Sequence, residues 1–149
     1  MIITSSAFDD GSMIPRKFTC DGGDMNPELL IQNVPAEAQS LALILHDPDA
    51  PIPGGFTHWT VWNINTSTTS IAENSVPAGA IQGQTSFGQN LYGGPCPPAG
   101  SPHHYRFTIY ALDSKLTLPS YSQAADLTTA MQSHILDQAE LVGLYGRSK

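Results

Sequence analysis

The chain has 149 residues, a net charge of −7 and no run of lysine or arginine. Hydrophobic residues make up 40% of it and charged residues only 13%, about half of the usual share of roughly 25%. This length allows one folded domain, 1–149, with a single core. The acidic balance argues against nucleic acid and anionic membrane surfaces as partners, because proteins bind both through basic patches.

The amino-terminal sequence, MIITSSAFDDGS, has no positively charged segment followed by an apolar stretch. It therefore does not resemble a signal peptide. No segment approaches the roughly 20 apolar residues that span a membrane as a helix. We expect the protein to be cytoplasmic, with no membrane span.

Three segments predict β-strands. Leu41–Leu45 is a short apolar run that ends at an Asp-Pro turn, which is typical of a buried strand. Thr57–Ile64 is rich in β-branched and aromatic residues, and a long irregular stretch separates it from a third strand at His103–Leu112. In the third strand, His103 and Tyr105 fall on the same face as two apolar residues, so they are expected to point inward at its rim.

The carboxyl-terminal part of the chain contains the one strong helix candidate, Ser122–Ile135. Ala124, Leu127, Met131 and Ile135 form an apolar stripe, and Ser122 is suited to the N-cap. The following QAELVGLYGR is compatible with a continued helix or a final strand. Several strands, frequent turns and one late helix predict a mainly antiparallel β domain.

Cys20 and Cys96 are the two cysteines of the chain. Their spacing is not that of a zinc site, and in a reducing compartment they need not be bridged. Two half-buried thiols are the favoured interpretation. A disulfide between them is the alternative, because the sequence does not show whether the two Cα atoms lie within about 7 Å of each other.

Polar residues able to bind a ligand cluster in four segments: HDPDAP (46–51), GGFTHW (54–59), FGQNLYGGPCPPAG (87–100) and SPHHY (101–105). Three of them flank strand ends, where loops and binding residues concentrate. Histidines, a tyrosine hydroxyl and backbone N–H groups of the glycine-rich loop are suitable donors for an anion. Asp47 or Asp49 is placed to orient one histidine.

The order DPDAP, HWTVWNI and FG…YGGPCPPAG…HHYRFTIYALD resembles the phosphatidylethanolamine-binding protein family, also called Raf-kinase-inhibitor-like proteins. The likeness extends from residue 8 to residue 147 and is closest to the short bacterial and archaeal branch. It implies a large central antiparallel sheet packed with a smaller sheet, and helical material near the carboxyl terminus. It also implies a pocket for phosphate, phosphoethanolamine or acetate at one end of the sheet.

Carried over by motif, the resemblance assigns a set of ligand-binding residues. They are Asp47, with Asp49 supporting its turn, and His58, Pro97, Pro98, His103 and Tyr105. We expect His58, His103 and Tyr105 to donate hydrogen bonds to a small anion, while Asp47 orients an imidazole.

The sequence departs from the family pattern at three points. His104 replaces a common arginine, so any ion pair there is expected to be weakened or absent. The short segment IPGGFT after Pro51 is expected to leave the pocket mouth more open. A further pocket tyrosine of some relatives has no clear counterpart, with Tyr145 as the candidate.

These observations favour a regulatory protein that binds a small anion, without enzymatic activity and without a cofactor. One alternative is a metal-assisted hydrolase that uses Asp47, His58 and His103 as ligands. Another is an inhibitor of a kinase or protease that acts through its surface. By resemblance, a homodimer is plausible.

Overall fold

The computed structural model describes residues 1–148 and is built mainly from β-strands. The elements in chain order are β1 (Ile2–Thr4), β2 (Leu29–Gln32), β3 (Ser40–Asp47), β4 (Phe56–Ile64), β5 (Ser70–Ile71), β6 (Ile81–Gln82), β7 (His103–Leu112), α1 (Ala124–Met131) and β8 (Ile135–Tyr145). A short 3-10 helix, Arg16–Phe18, precedes β2.

The strands form two antiparallel sheets. The larger has five strands in the order β6-β4-β3-β7-β8, and the smaller has three in the order β1-β2-β5. The prediction of a large central sheet, a smaller sheet and one helix in the carboxyl-terminal region is confirmed. The sequence patterns did not identify the short strands of the smaller sheet.

The central strand β3 is buried on both faces, which explains its continuous apolar run. Leu41, Leu43 and Leu45 face the main core, where the smaller sheet packs against the larger one. Ala42 and Ile44 face a second cluster, which α1 covers with Leu127 and Met131. Antiparallel β3 thus carries the two apolar layers of the fold.

Strand β7 has the predicted bounds and the predicted alternation. Tyr105, Phe107 and Ile109 have no exposed surface, whereas His104 and Arg106 on the other face are exposed. The inward direction of Tyr105, inferred from alternation alone, is confirmed.

The helix is shorter than predicted. It spans Ala124–Met131, with Gln123 rather than Ser122 at the N-cap. Ser133 has a φ of 69°, in the left-handed region that ends a helix, and Ile135 begins β8. The apolar stripe therefore continues from the helix into a strand, and QAELVGLYGR belongs mainly to that strand.

No helix within residues 1–148 combines the length and apolar character needed to cross a membrane.

Gly83 allows close packing at the edge of the sheet, beside β4. A Cβ atom there would collide with the Trp62 ring and the Thr60 side chain, both fully buried. Gly83→Ala is therefore expected to lower the free energy of unfolding by about 1–3 kcal/mol through overpacking. Urea unfolding followed by tryptophan fluorescence measures this change, and an unchanged midpoint would contradict the packing argument.

Candidate functional site

A cavity of about 230 Å³ lies at one end of the five-stranded sheet. Asp47 ends β3, His58 lies near the start of β4, and His103 and Tyr105 begin β7. Because β3 pairs with both β4 and β7 in antiparallel fashion, these residues meet at the same end of the sheet. Six of the seven predicted residues line the cavity: Asp47, His58, Pro97, Pro98, His103 and Tyr105.

The rest of the cavity wall is mainly apolar. It consists of Ala50, Pro51, Ile52, Phe56, Phe87 and Cys96. Ile52 and Phe87 are 48% and 46% exposed, so they lie at the mouth. None of these six was predicted individually, because single apolar side chains in a loop carry no sequence pattern. All but Ile52 lie in the four segments predicted to bind a ligand.

Asp47 holds the His103 ring in one orientation. The carboxylate is 3% exposed; its Oδ2 lies 2.7 Å from His103 Nδ1 and its Oδ1 accepts the Asp49 amide at 2.8 Å. A carboxylate only accepts hydrogen bonds, so His103 Nδ1 carries the proton in this pair. His103 Nε2 is therefore the ring nitrogen left for a ligand.

His58 is fixed in the same way by a backbone carbonyl. Its Nδ1 lies 2.7 Å from Gly93 O, which can only accept, so Nδ1 carries a proton. Burial lowers the pKa of His58, although the Gly93 carbonyl and the Asp47 charge act in the opposite direction. Burial thus favours the neutral form of the ring, in which Nε2 accepts hydrogen bonds. The donor role expected for His58 stays a prediction.

Tyr105 places a phenol group at the cavity floor. Its side chain is fully buried, and within residues 1–148 its hydroxyl has no hydrogen-bond partner. Burial raises the pKa of Tyr105 well above its usual value, and the negative charge of nearby Asp47 raises it further. The phenol thus keeps its proton and can donate it to a ligand.

Asp49, the seventh predicted residue, does not line the cavity. Its carboxylate accepts hydrogen bonds from the backbone amide and from Nδ1 of His104, both at 2.7 Å. These bonds lower the pKa of Asp49, and the bond from the backbone amide has the larger effect. His104 thus has Asp49 as a hydrogen-bond partner on the exposed side of the strand. The expectation that an ion pair is weaker here than with an arginine stays a prediction.

The glycines of the glycine-rich loop use their backbone amides within the protein. The Gly93 amide donates to His58 O, and the Gly94 amide donates to Asp24 Oδ1. The segment that lines the cavity, Cys96–Pro98, contains two prolines without N–H groups. Pro97 and Pro98 therefore cannot donate to a ligand from the backbone, and Cys96 is the residue of this segment that retains an N–H group.

Cys20 and Cys96 form a disulfide, with Cα atoms 5.5 Å apart. This corrects the favoured interpretation of two free thiols. The bridge joins the cavity wall at Cys96 to the segment after the 3-10 helix.

Tyr145 is not part of the cavity lining. Its hydroxyl donates to Asp21 Oδ2, in an ion-pair cluster with Arg147.

The geometry does not favour the metal-ligand alternative. Within residues 1–148, no group of three or more His, Cys, Asp and Glu side chains is arranged to hold a metal ion. Asp47, His58 and His103 share the cavity, but they are not placed as such a group.

Comparison with known proteins defines the class to which this fold and cavity belong. The family model described as "Phosphatidylethanolamine-binding protein" matches residues 4–146. The chain belongs to this family, which confirms the resemblance seen in the sequence motifs.

Similar sequences come from archaea and bacteria. A UPF0098 protein of Pyrococcus abyssi is 44% identical, with 99% of this chain and 86% of that protein covered. A UPF0098 protein of Methanothermobacter thermautotrophicus is 43% identical, with 99% of both chains covered. The assignment to the short bacterial and archaeal branch is therefore confirmed.

Two solved structures share the fold. The phosphatidylethanolamine-binding protein homologue CT736 of Chlamydia trachomatis has a TM-score of 0.93 and 38% identity, covering 99% of this chain and 97% of its own. Escherichia coli YbcL, described as a new member of the mammalian PEBP family, has a TM-score of 0.92 and 33% identity, with 97% and 96% covered.

The cellular location is not settled by these relatives. Mycobacterium tuberculosis LppC, which is 40% identical over 97% of this chain and 72% of its own length, is named as a candidate lipoprotein. Disulfides persist mainly in oxidising compartments, although intracellular proteins of hyperthermophiles are an exception. The cytoplasmic location stays a prediction.

Proposed function

We propose that the protein is a non-enzymatic regulatory protein that binds a small anion such as phosphate, phosphoethanolamine or acetate. The observation that carries this proposal is the convergence of His58, His103 and Tyr105 on one cavity, with His103 held by Asp47. Family membership supports a binding role. Each of the three side chains has a polar group that is not fully used within the protein.

The shape of the cavity supports a phosphoryl group that carries an organic substituent. The polar side chains lie deeper than Ile52 and Phe87, whose exposed surfaces form an apolar mouth. A charged head would contact the polar floor, and a short apolar substituent would lie against the mouth. With a net charge of −7, the protein gains no long-range attraction for an anion. The affinity is therefore expected to be modest.

Tyr105→Phe tests the proposal, because it removes one donor and no other atom. We expect phosphoethanolamine affinity to fall about ten- to hundredfold, since a hydrogen bond to a charged oxygen contributes about 1.5–3 kcal/mol. The stability of the free protein should not fall, because the lost hydroxyl is buried without a partner. Calorimetric titration and urea unfolding measure the two effects separately.

Tyr110→Phe is the matched control, because Tyr110 lies on the opposite face of the same strand. It packs against the second apolar cluster, which α1 covers. It should leave the affinity unchanged. Unchanged affinity in Tyr105→Phe, with the fold intact, would contradict the proposed binding site.

Inhibition of a kinase or protease stays a prediction, as does a homodimer.

A further inference from the structure

The cavity contains a hydrogen-bond acceptor that an ordinary anion cannot satisfy. His58 is 4% exposed and is surrounded by the rings of Phe56, Phe87 and Tyr105, at centroid distances of 5.0, 5.3 and 5.3 Å. Its Nδ1–H donates to Gly93 O. Gly93 O occupies Nδ1, so Nε2 is the ring nitrogen left for a ligand in the cavity.

Burial, and not the charge of the groups that face it, disfavours a cationic His58 ring. The Gly93 and Gly94 carbonyls and the negative charge of Asp47 stabilise the cation, while His46 opposes it. Burial outweighs Asp47 and lowers the pKa of the ring. From β7, His103 has its Nδ1 on Asp47, Tyr105 is an undissociated phenol, and Cys96 on the loop does not titrate because it is in the disulfide.

The charge of the cavity also limits the charge of the ligand. Asp47 lies at the floor, and its two oxygens are both used as acceptors. Among residues 1–148 the lining includes no lysine or arginine. A dianion would therefore be repelled more strongly than a monoanion, with no fixed cation to compensate.

We propose that the cavity selects oxyanions that carry a proton, in particular the monoanion of a phosphate monoester or inorganic phosphate. The P–OH group donates to His58 Nε2, while an unprotonated oxygen of the same phosphoryl group accepts from Tyr105. Sulfate, acetate and phosphodiesters have no such proton at neutral pH and leave His58 Nε2 unsatisfied, so among the anions of the proposed function the site prefers the phosphates to acetate. This inference rests on the proposed anion-binding function and names the protonation state that the site recognises.

The proposal predicts a definite pH dependence. The second pKa of a phosphate monoester is about 6, so the proton-bearing monoanion is the main form only below that value. Above it, binding must be accompanied by uptake of a proton. The observed affinity should fall by about tenfold for each pH unit between pH 6.5 and 8.5.

Calorimetric titration with two methyl phosphates tests the selection. At pH 5, monomethyl phosphate and dimethyl phosphate are both monoanions, and they differ in the P–OH group. We expect monomethyl phosphate to bind at least tenfold more tightly. Inorganic phosphate against sulfate extends the comparison to free anions of similar size, which at pH 5 differ in charge as well as in the P–OH group. Monomethyl phosphate against inorganic phosphate separates a monoester ligand from free phosphate.

A variant connects the selection to His58. In His58→Asn the amide nitrogen can still donate to Gly93 O, but the acceptor at the position of Nε2 is lost. The preference for monomethyl over dimethyl phosphate should shrink to less than threefold. Circular dichroism and the urea midpoint check that the variant is folded. If the variant is not folded, proton uptake by the wild-type protein replaces this test. The number of protons taken up per monomethyl phosphate bound at pH 7.5, measured by calorimetry in two buffers of different ionisation enthalpy, should be close to one.

The outcomes separate the two proposals. Equal binding of monomethyl and dimethyl phosphate, or of phosphate and sulfate, would overturn the selection and leave the anion-binding function standing. Binding of sulfate with uptake of a proton would also overturn it, because the ring rather than the ligand would then carry that proton. Binding of none of the four anions would overturn the proposed function itself.

Discussion

Replacement of both Cys20 and Cys96 by serine is expected to lower the free energy of unfolding by about 4 kcal/mol at 25 °C. The two cysteines are 76 residues apart in the chain. A bridge across so long a loop removes much of the conformational entropy of the unfolded chain, which accounts for the size of the effect. For a small domain this is a large part of the total stability.

The same change is expected to weaken ligand binding, because Cys96 lies in the cavity wall. The adjacent Pro97 and Pro98 have no N–H with which to tie the wall to the rest of the protein. The disulfide therefore holds this stretch against the segment that contains Cys20, whose amide also donates to Pro95 O. Without the bridge, some binding free energy must order the wall.

Urea unfolding with and without a thiol reductant measures the contribution of the bridge. Reductant should lower the midpoint of the wild-type protein to that of the double-serine variant, and should leave the variant unchanged. A wild-type midpoint that does not respond to reductant, under conditions in which thiol titration shows both cysteines reduced, would contradict the argument.

The features that could be predicted from the sequence are those that depend on the pattern of residues within one strand. The alternation in β7 showed that Tyr105 points inward, and the apolar run in β3 indicated a strand buried on both faces. The positions of Asp47 and His58 came from the order of the family motifs. The pairing of β3 with β4 and β7 then places Asp47 and His58 beside the start of β7, at one end of the sheet.

The features that were missed depend on residues far apart in the chain. The Cys20–Cys96 bridge needs the distance between two loops, which no local pattern contains. The protonated nitrogen of His58 is set by Gly93 O, 35 residues away. Periodicity also could not show that the helical stripe ends before Ile135, because the left-handed turn at Ser133 interrupts the helix and not the apolar pattern.

Asp47→Asn is expected to strengthen the binding of anions that lack a proton, such as sulfate and dimethyl phosphate, by about tenfold. An asparagine side chain has one oxygen where the carboxylate has two. The Asp49 amide can only donate, so the new oxygen stays with it and the new NH₂ group faces His103 Nδ1. His103 then accepts at Nδ1, and its proton moves to Nε2, where it can donate to the ligand.

Two effects of this substitution act in the same direction. The His103 ring presents a donor to the ligand at Nε2, and a unit negative charge leaves the cavity floor. At an effective dielectric constant of about 20, such a charge several ångström from the anion contributes on the order of 1–3 kcal/mol, and about 1.4 kcal/mol corresponds to a tenfold change in affinity. The preference for monomethyl over dimethyl phosphate should become smaller, because His103 Nε2 now donates a hydrogen bond to either ligand.

Asp49→Asn is the matched control, since it removes the same charge two residues away, where the carboxylate pairs with His104 outside the cavity. It should change the affinity for sulfate by less than threefold. Titration of sulfate and dimethyl phosphate into the two variants at pH 7 makes the comparison, with the urea midpoint as the check on folding. Weaker sulfate binding in folded Asp47→Asn would show that Asp47 supports the anion by stabilising a cationic His103, and the tautomer argument would then be wrong.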